Sequence, residues 1–143
     1  MNAPAAAYPP TSTEEARYAE LQRLALEAAR SGDSSVLVPM LTAGLPINLA
    51  DEKGNTLLML ATYHGHAETA RMLLAQGADV DRRNDRQQTP LGGAAFKGSL
   101  EIVHLLVEAG ADPLADQGGG QTPGQFATLF GHAPIAEYLA SLA

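Results

Sequence analysis

The sequence predicts an all-α solenoid of four helix-turn-helix units, stacked side by side with turns projecting from one edge. Three observations predict it. Thr56, Thr89 and Thr122 are spaced by 33 residues, and so are Gly65, Gly98 and Gly131. Gly77-Ala78-Asp79 returns as Gly110-Ala111-Asp112, again 33 residues on. Between these markers each unit pairs two short apolar stretches across a glycine. A fixed period in this range marks supersecondary units that bury a shared core by stacking, not a globule around one enclosed site.

A short disordered tail, residues 1–12, stiffened by Pro4, Pro9 and Pro10, is expected ahead of the first unit. Thr11 with Glu14 and Ser12 with Glu15 form two overlapping capping boxes. The two acids also suit the positive end of a helix dipole. Leu21, Leu24, Ala25 and Ala28 follow at helical spacing, and Gly32 allows the left-handed turn that ends the helix. A second helix is expected from about Ser34 to Thr42, short or kinked because Pro39 lies inside it. Gly44 closes it.

The later units repeat this grammar. Asp51 to Asn55 is rich in turn formers. Thr56 can cap a helix through about His64, Gly65 breaks it, and Ala67 to Gln76 forms the partner helix with Ala70, Leu73 and Leu74 on its apolar face. Asn84 to Gln88 is the next turn, followed by helices near 89–97 and 100–109. Gly118-Gly119-Gly120 makes a looser turn before helices near 122–130 and 134–141. These helices fall short of the ~12–15 residues needed for independent stability, so stacking must supply the core. Ala28, Ala61, Ala94 and Ala127 recur in phase and allow close approach. Met40, Leu73, Leu106 and Leu139 fill the shared interior.

These residues resemble the ankyrin repeat. The elements are Gly54-Asn55-Thr56-Leu57-Leu58-Met59, Gly65-His66, Leu73-Leu74 and Gly77-Ala78-Asp79 in one unit. Thr89-Pro90-Leu91, Ala94-Ala95, Leu105-Leu106 and Gly110-Ala111-Asp112 carry the next, and Thr122-Pro123, Gly131-His132 and Tyr138-Leu139 the last. Residues 13–143 read as one such domain, with units of about 13–50, 51–83, 84–116 and 117–143. The departures are specific. The family histidine after Thr-Pro-Leu is Met59, Gly92 and Gln125 here, so the stapling of the turns is weaker or different. Gly92-Gly93 at the start of a helix costs roughly 1 kcal/mol per glycine relative to alanine. Gly124 in place of leucine suggests a C-terminal cap.

Composition narrows the function. The formal net charge of −7 argues against general affinity for nucleic-acid phosphates. Cysteine is absent, which removes disulfides, thiolate ligands and a Cys nucleophile. No window reaches the ~18 apolar residues of a membrane span. The start lacks a secretory signal pattern, so a cytoplasmic location is expected. There is no nucleophile with a base, no phosphate-binding loop and no His-Glu-x-x-His. The pairs Asp79/Asp81 and Glu14/Glu15 have no apolar pocket to split their pKa values. The sequence therefore gives no reason to assign an enzyme, a cofactor or a metal.

The ankyrin resemblance implies that first helices line a concave face and that turns project as fingers. Residues before each Gly turn then form two ladders: Arg30, Tyr63, Phe96 and Leu129, beside Ser31, His64, Lys97 and Phe130. Aromatic and Arg side chains are common interface anchors. Tyr63 and Phe96 either meet a partner or pack down on the next finger. Finger residues Lys53, Arg83 and Arg86 join the candidate set. Arg82, Arg83 and Arg86 form a basic island, which could steer an acidic partner or simply pair with Asp81 and Asp85. His66, His104 and His132 read as structural. The expectation is a monomeric adaptor or regulator that binds another protein. The motif wording also resembles compact ankyrin proteins of bacteria, some of which accompany catalases. That resemblance implies an alternative: a ligand-, haem- or metal-binding accessory protein supporting such a stress enzyme, using His64 with Tyr63.

Overall fold

The computed structural model describes residues 12–142. Eight helices follow in order: α1 (Ser12–Ser31), α2 (Ser34–Thr42), α3 (Leu57–Tyr63), α4 (Ala67–Ala75), α5 (Pro90–Lys97), α6 (Leu100–Glu108), α7 (Pro123–Leu129) and α8 (Ala133–Ala140). They form two layers. α1, α3, α5 and α7 stack as an inner row, and α2, α4, α6 and α8 as an outer row, each packed on the helix before it. The predicted tail, 1–12, lies outside the described residues except for Ser12. Ser12 is already helical, and Thr11, which leads the other capping box, also lies outside them.

Each inner helix after the first starts at a threonine for the same reason. The hydroxyl oxygen of Thr56 accepts from Met59 N at 3.1 Å, that of Thr89 from Gly92 N at 3.3 Å, and that of Thr122 from Gln125 N at 3.3 Å. Such a cap contributes about 1 kcal/mol. In the last unit Gln125 reaches back to Thr122 N at 2.8 Å, completing a capping box. α2 runs through Pro39 with no break; the proline sits on its exposed side.

The inner row is thin because alanines line it. Ala25, Ala29, Ala61, Ala94, Ala95 and Ala127 are all fully buried. Leu37, Leu57, Leu73, Leu91 and Leu106 fill the space between layers, also fully buried. Leu21 and Leu24 depart from their expected apolar face: both stay exposed, with no described residue covering them.

Side chains staple one unit to the next. His66 Nε2 bonds the carbonyl of Arg30 at 2.8 Å, and His132 Nε2 that of Phe96 at 3.0 Å. Each imidazole lies so close over the preceding turn glycine, Gly32 or Gly98, that a Cβ there would come within 2.5 Å of it. Those glycines also have positive φ, 75° and 88°. At the equivalent place between the second and third units, Ser99 stands where the histidine would be, and the space over Gly65 is open. On the outer loops, Asn48 Oδ1 accepts from Asp79 N at 2.9 Å, and the Asp81 carboxylate from Asp112 N at 3.1 Å.

Among the described residues, no helix is long and apolar enough to cross a membrane.

Candidate partner-binding groove

The turns before α3, α5 and α7 share one hydrogen bond, which is why they project alike. Asp51 N donates to Asn55 O at 3.0 Å, Asn84 N to Gln88 O at 3.0 Å, and Gln117 N to Gln121 O at 2.8 Å. Neighbouring fingers are tied together. Asp85 N donates to Lys53 O at 3.0 Å and Asn84 Nδ2 to Asn55 Oδ1 at 2.9 Å. Within the first finger, the Asp51 carboxylate accepts from the amides of Lys53 and Asn55, each at 2.9 Å. It also faces the Arg30 guanidinium at 3.6 Å. Burial pushes the Asp51 pKa up, but these donors and the Arg30 charge outweigh it and hold the carboxyl below its ordinary value.

Fingers and inner helices enclose a concave groove of about 850 Å³. Arg30, Lys53, Tyr63, His64, Arg86, Phe96, Leu129 and Phe130 all line it. Its helix side carries a continuous aromatic strip. Tyr63 and Phe96 lie almost parallel, 7° apart, with centroids separated by 6.4 Å. Phe96 meets Phe130 edge-to-face at 4.5 Å, and Phe130 meets Phe126 at 6.4 Å. Tyr63 is 38% exposed, Phe96 37%, Phe130 47% and Leu129 64%. The rings thus pack on one another rather than sinking beneath a finger. Phe126, which the ladders omit, belongs to the strip; its spacing of four from Phe130 was the available signal.

Two candidate residues stand outside the lining. Lys97 holds its ammonium over the Tyr63 ring, 4.8 Å from the centroid, at the groove's edge. Arg83 donates to the carbonyls of Gln87 and Asp116, so it straps the second finger to the third. Arg82 pairs with Asp79 at 3.2 Å. Of the basic island only Arg86 faces the groove, because the other two guanidiniums are held by local acceptors. His64 sits edge-on to Tyr63 at 5.5 Å. Burial first, then the nearby His66 ring and the Lys97 and Arg30 charges, hold its pKa below the ordinary value. His104 lies on the outer layer against the Tyr138 ring, with centroids 4.0 Å apart. Among the described residues, no group of three His, Asp or Glu side chains is placed to hold a metal.

Sequence reasoning missed Gln117. Its buried carboxamide accepts from Thr89 N at 2.9 Å and donates to Thr89 Oγ1 at 3.0 Å and to Ala115 O at 2.9 Å. It lies where a side chain at position 92 would be: a Cβ on Gly92 would come within 1.9 Å of its oxygen. The absent histidine at position 92 is thus replaced by a glutamine from the following finger.

A family model of ankyrin repeats in three copies matches residues 25–117, more than half of the chain. The chain belongs to the ankyrin-repeat family. In this ankyrin-repeat chain the helix pair α7 and α8 lies beyond the matched residues and continues the same stack. A Pseudomonas aeruginosa protein named as an ankyrin repeat protein is 54% identical over 46 residues, 32% of this chain. That segment spans 27% of the relative's own length.

Proposed function

We propose that this chain is an adaptor or regulator that captures a partner protein in its concave groove. Ankyrin repeats generally mediate protein–protein interaction, and this reading assigns that role to a definite surface. Tyr63, Phe96, Leu129 and Phe130 form the grip. Lys53 and Arg86 reach from the fingers, and Arg30, His64 and Lys97 border the helix side. Arg83 contributes by fixing the fingers that frame the site. Units of about 13–50, 51–83, 84–116 and 117–143 supply one rung each.

The observation that carries this reading is the aromatic strip. Four consecutive ring contacts run along one wall of a groove, and the rings keep more than a third of their surface open to solvent or, for Phe126, remain half-buried. Exposed contiguous apolar surface of this kind marks an interaction site, and aromatic anchors dominate such interfaces.

The test compares capture from a bacterial lysate by the wild-type chain and by the Tyr63→Ala, Phe96→Ala double variant, read by mass spectrometry. Loss of specific partners with unchanged helical circular dichroism is the expected result. Capture that persists in the double variant refutes the groove assignment, and collapse of helicity refutes it in favour of a packing role.

A further inference from the structure

We propose that the groove reads a protein segment in which a bulky apolar side chain lies close to a carboxylate. The apolar group seats over Gly93, and the carboxylate meets Lys97 at the rim. This rests on the groove being the partner site and names what that site selects.

The glycine pair on α5 is the starting point. Each mid-helix glycine costs roughly 1 kcal/mol relative to alanine. Gly92 has a packing reason, since the Gln117 carboxamide fills its side-chain space. Gly93 has none. A Cβ there would meet only Tyr63 Cδ1 within 4 Å, at an ordinary 3.6 Å. One period away on either side the same position holds Leu60, which is buried, and Phe126, which is half-buried. All three line the groove. Gly93 therefore leaves a notch one side chain wide, flanked by Leu60 and Phe126 and bordered by Tyr63. A helix that gives up stability for unfilled space beside exposed rings is built to receive an apolar group. Rules of local consistency are broken mainly at functional sites.

The charges supply the second half. Across the chain, acids outnumber Lys and Arg by 16 to 9. Arg23, Arg71 and Arg82 accordingly pair with Glu20, Glu68 and Asp79 outside the groove, and Arg30 with Glu27 and Asp51. Among the described residues Lys53, Arg86 and Lys97 form no such pair. Lys53 and Arg86 share the finger tips with Glu52 and Asp85, so that side is mixed in sign. The helix side is different. Lys97 lies over the Tyr63 ring, with its ammonium 4.8 Å from the centroid and no acid paired to it among the described residues, and His64 stands against the ring's edge. A carboxylate brought in beside an anchored apolar side chain complements that rim.

The test pans a displayed library of random peptides against the immobilised full chain, then measures selected peptides on variants. The expected winners carry Phe, Trp, Tyr or Leu within about three residues of Asp or Glu, the reach of one helical turn or a short extended segment. Their affinity should fall about tenfold or more, at least 1.4 kcal/mol, on Lys97→Glu and on Gly93→Leu, with circular dichroism unchanged. Gly93→Ala gives a milder filling of the notch should the leucine disturb the helix. Winners without carboxylates, or winners indifferent to Lys97→Glu and to both Gly93 variants yet lost on Tyr63→Ala with Phe96→Ala, overturn this inference and leave the groove reading intact. Winners that still bind the double aromatic variant, or no enrichment at all, overturn both.

Discussion

Gln117 reaches back 28 residues and puts its carboxamide oxygen where the Cβ of Gly92 would be, while bonding Thr89 at both N and Oγ1. The glutamine and the glycine form one unit: each is tolerable only because of the other. Gln117→Ala leaves Thr89 N without its acceptor in a buried place, which costs about 1–3 kcal/mol. Gly92→Ala forces the carboxamide aside and should cost a similar amount. The double variant should be more stable than the sum of the two losses predicts. Urea denaturation of the four proteins closes this cycle; strict additivity would refute the coupling.

Gln87 stands in the left-handed region, at φ 65°, where the equivalent finger residues are Gly54 and Gly120. A non-glycine residue there gives up about 1–2 kcal/mol. Gln87→Gly recovers that strain, less about 0.4–1 kcal/mol for the freer unfolded chain. The net expectation is a gain of up to about 1.6 kcal/mol, seen as a rise in Tm of up to about 6 °C. A fall in Tm would mean that the Gln87 side chain holds the finger in some other way.

Leu106 is wholly buried between the layers, whereas Leu129 is 64% exposed. Leu106→Ala should cost about 2–5 kcal/mol. Leu129→Ala should stay within about 0.5 kcal/mol of wild type. Thermal melts followed by far-ultraviolet circular dichroism separate the two. Equal losses would contradict the division between core and groove.

Asp51 gives the fold an acid limb. Burial raises its pKa, but the Asn55 and Lys53 amides, the Asn55 carboxamide and the Arg30 charge lower it further, so the folded value lies below the unfolded one. Such a carboxylate adds stability above its unfolded pKa, about 3.9, and that stability is lost as pH falls through the folded value. Asp51→Asn keeps the shape and removes the charge. It should be less stable than wild type at pH 7, with the gap closing in the acid range below about pH 4. A gap that widens on acidification would reverse the sign of the argument.

The repeat phase was legible in the sequence because its causes are local. A threonine caps the helix three residues on, a glycine takes positive φ, and alanines sit where helices touch. The structural role of His66 and His132 was legible through the family resemblance, although the carbonyls they bond, those of Arg30 and Phe96, lie in the preceding unit. Long-range substitutions were not. Nothing near Gln117 announces that its partner is Thr89, and nothing near Arg83 announces the Asp116 carbonyl. Leu21 and Leu24 carry a correct helical period, but period alone does not say whether a neighbour covers them. The repeat phase makes the positions before each Gly turn legible, and a spacing of four from Phe130 points to Phe126; the Gly93 notch needs three helices set side by side.

Ser99 leaves the joint between the second and third units without the imidazole that rivets the joints on either side of it. Across that joint the rings of Tyr63 and Phe96 face each other, one from each unit. A guest that clasps both rings spans the seam and bears the load that a histidine bears elsewhere. If the groove holds a partner as proposed, recognition and repair would be one event, with the middle joint gaining the most from occupation.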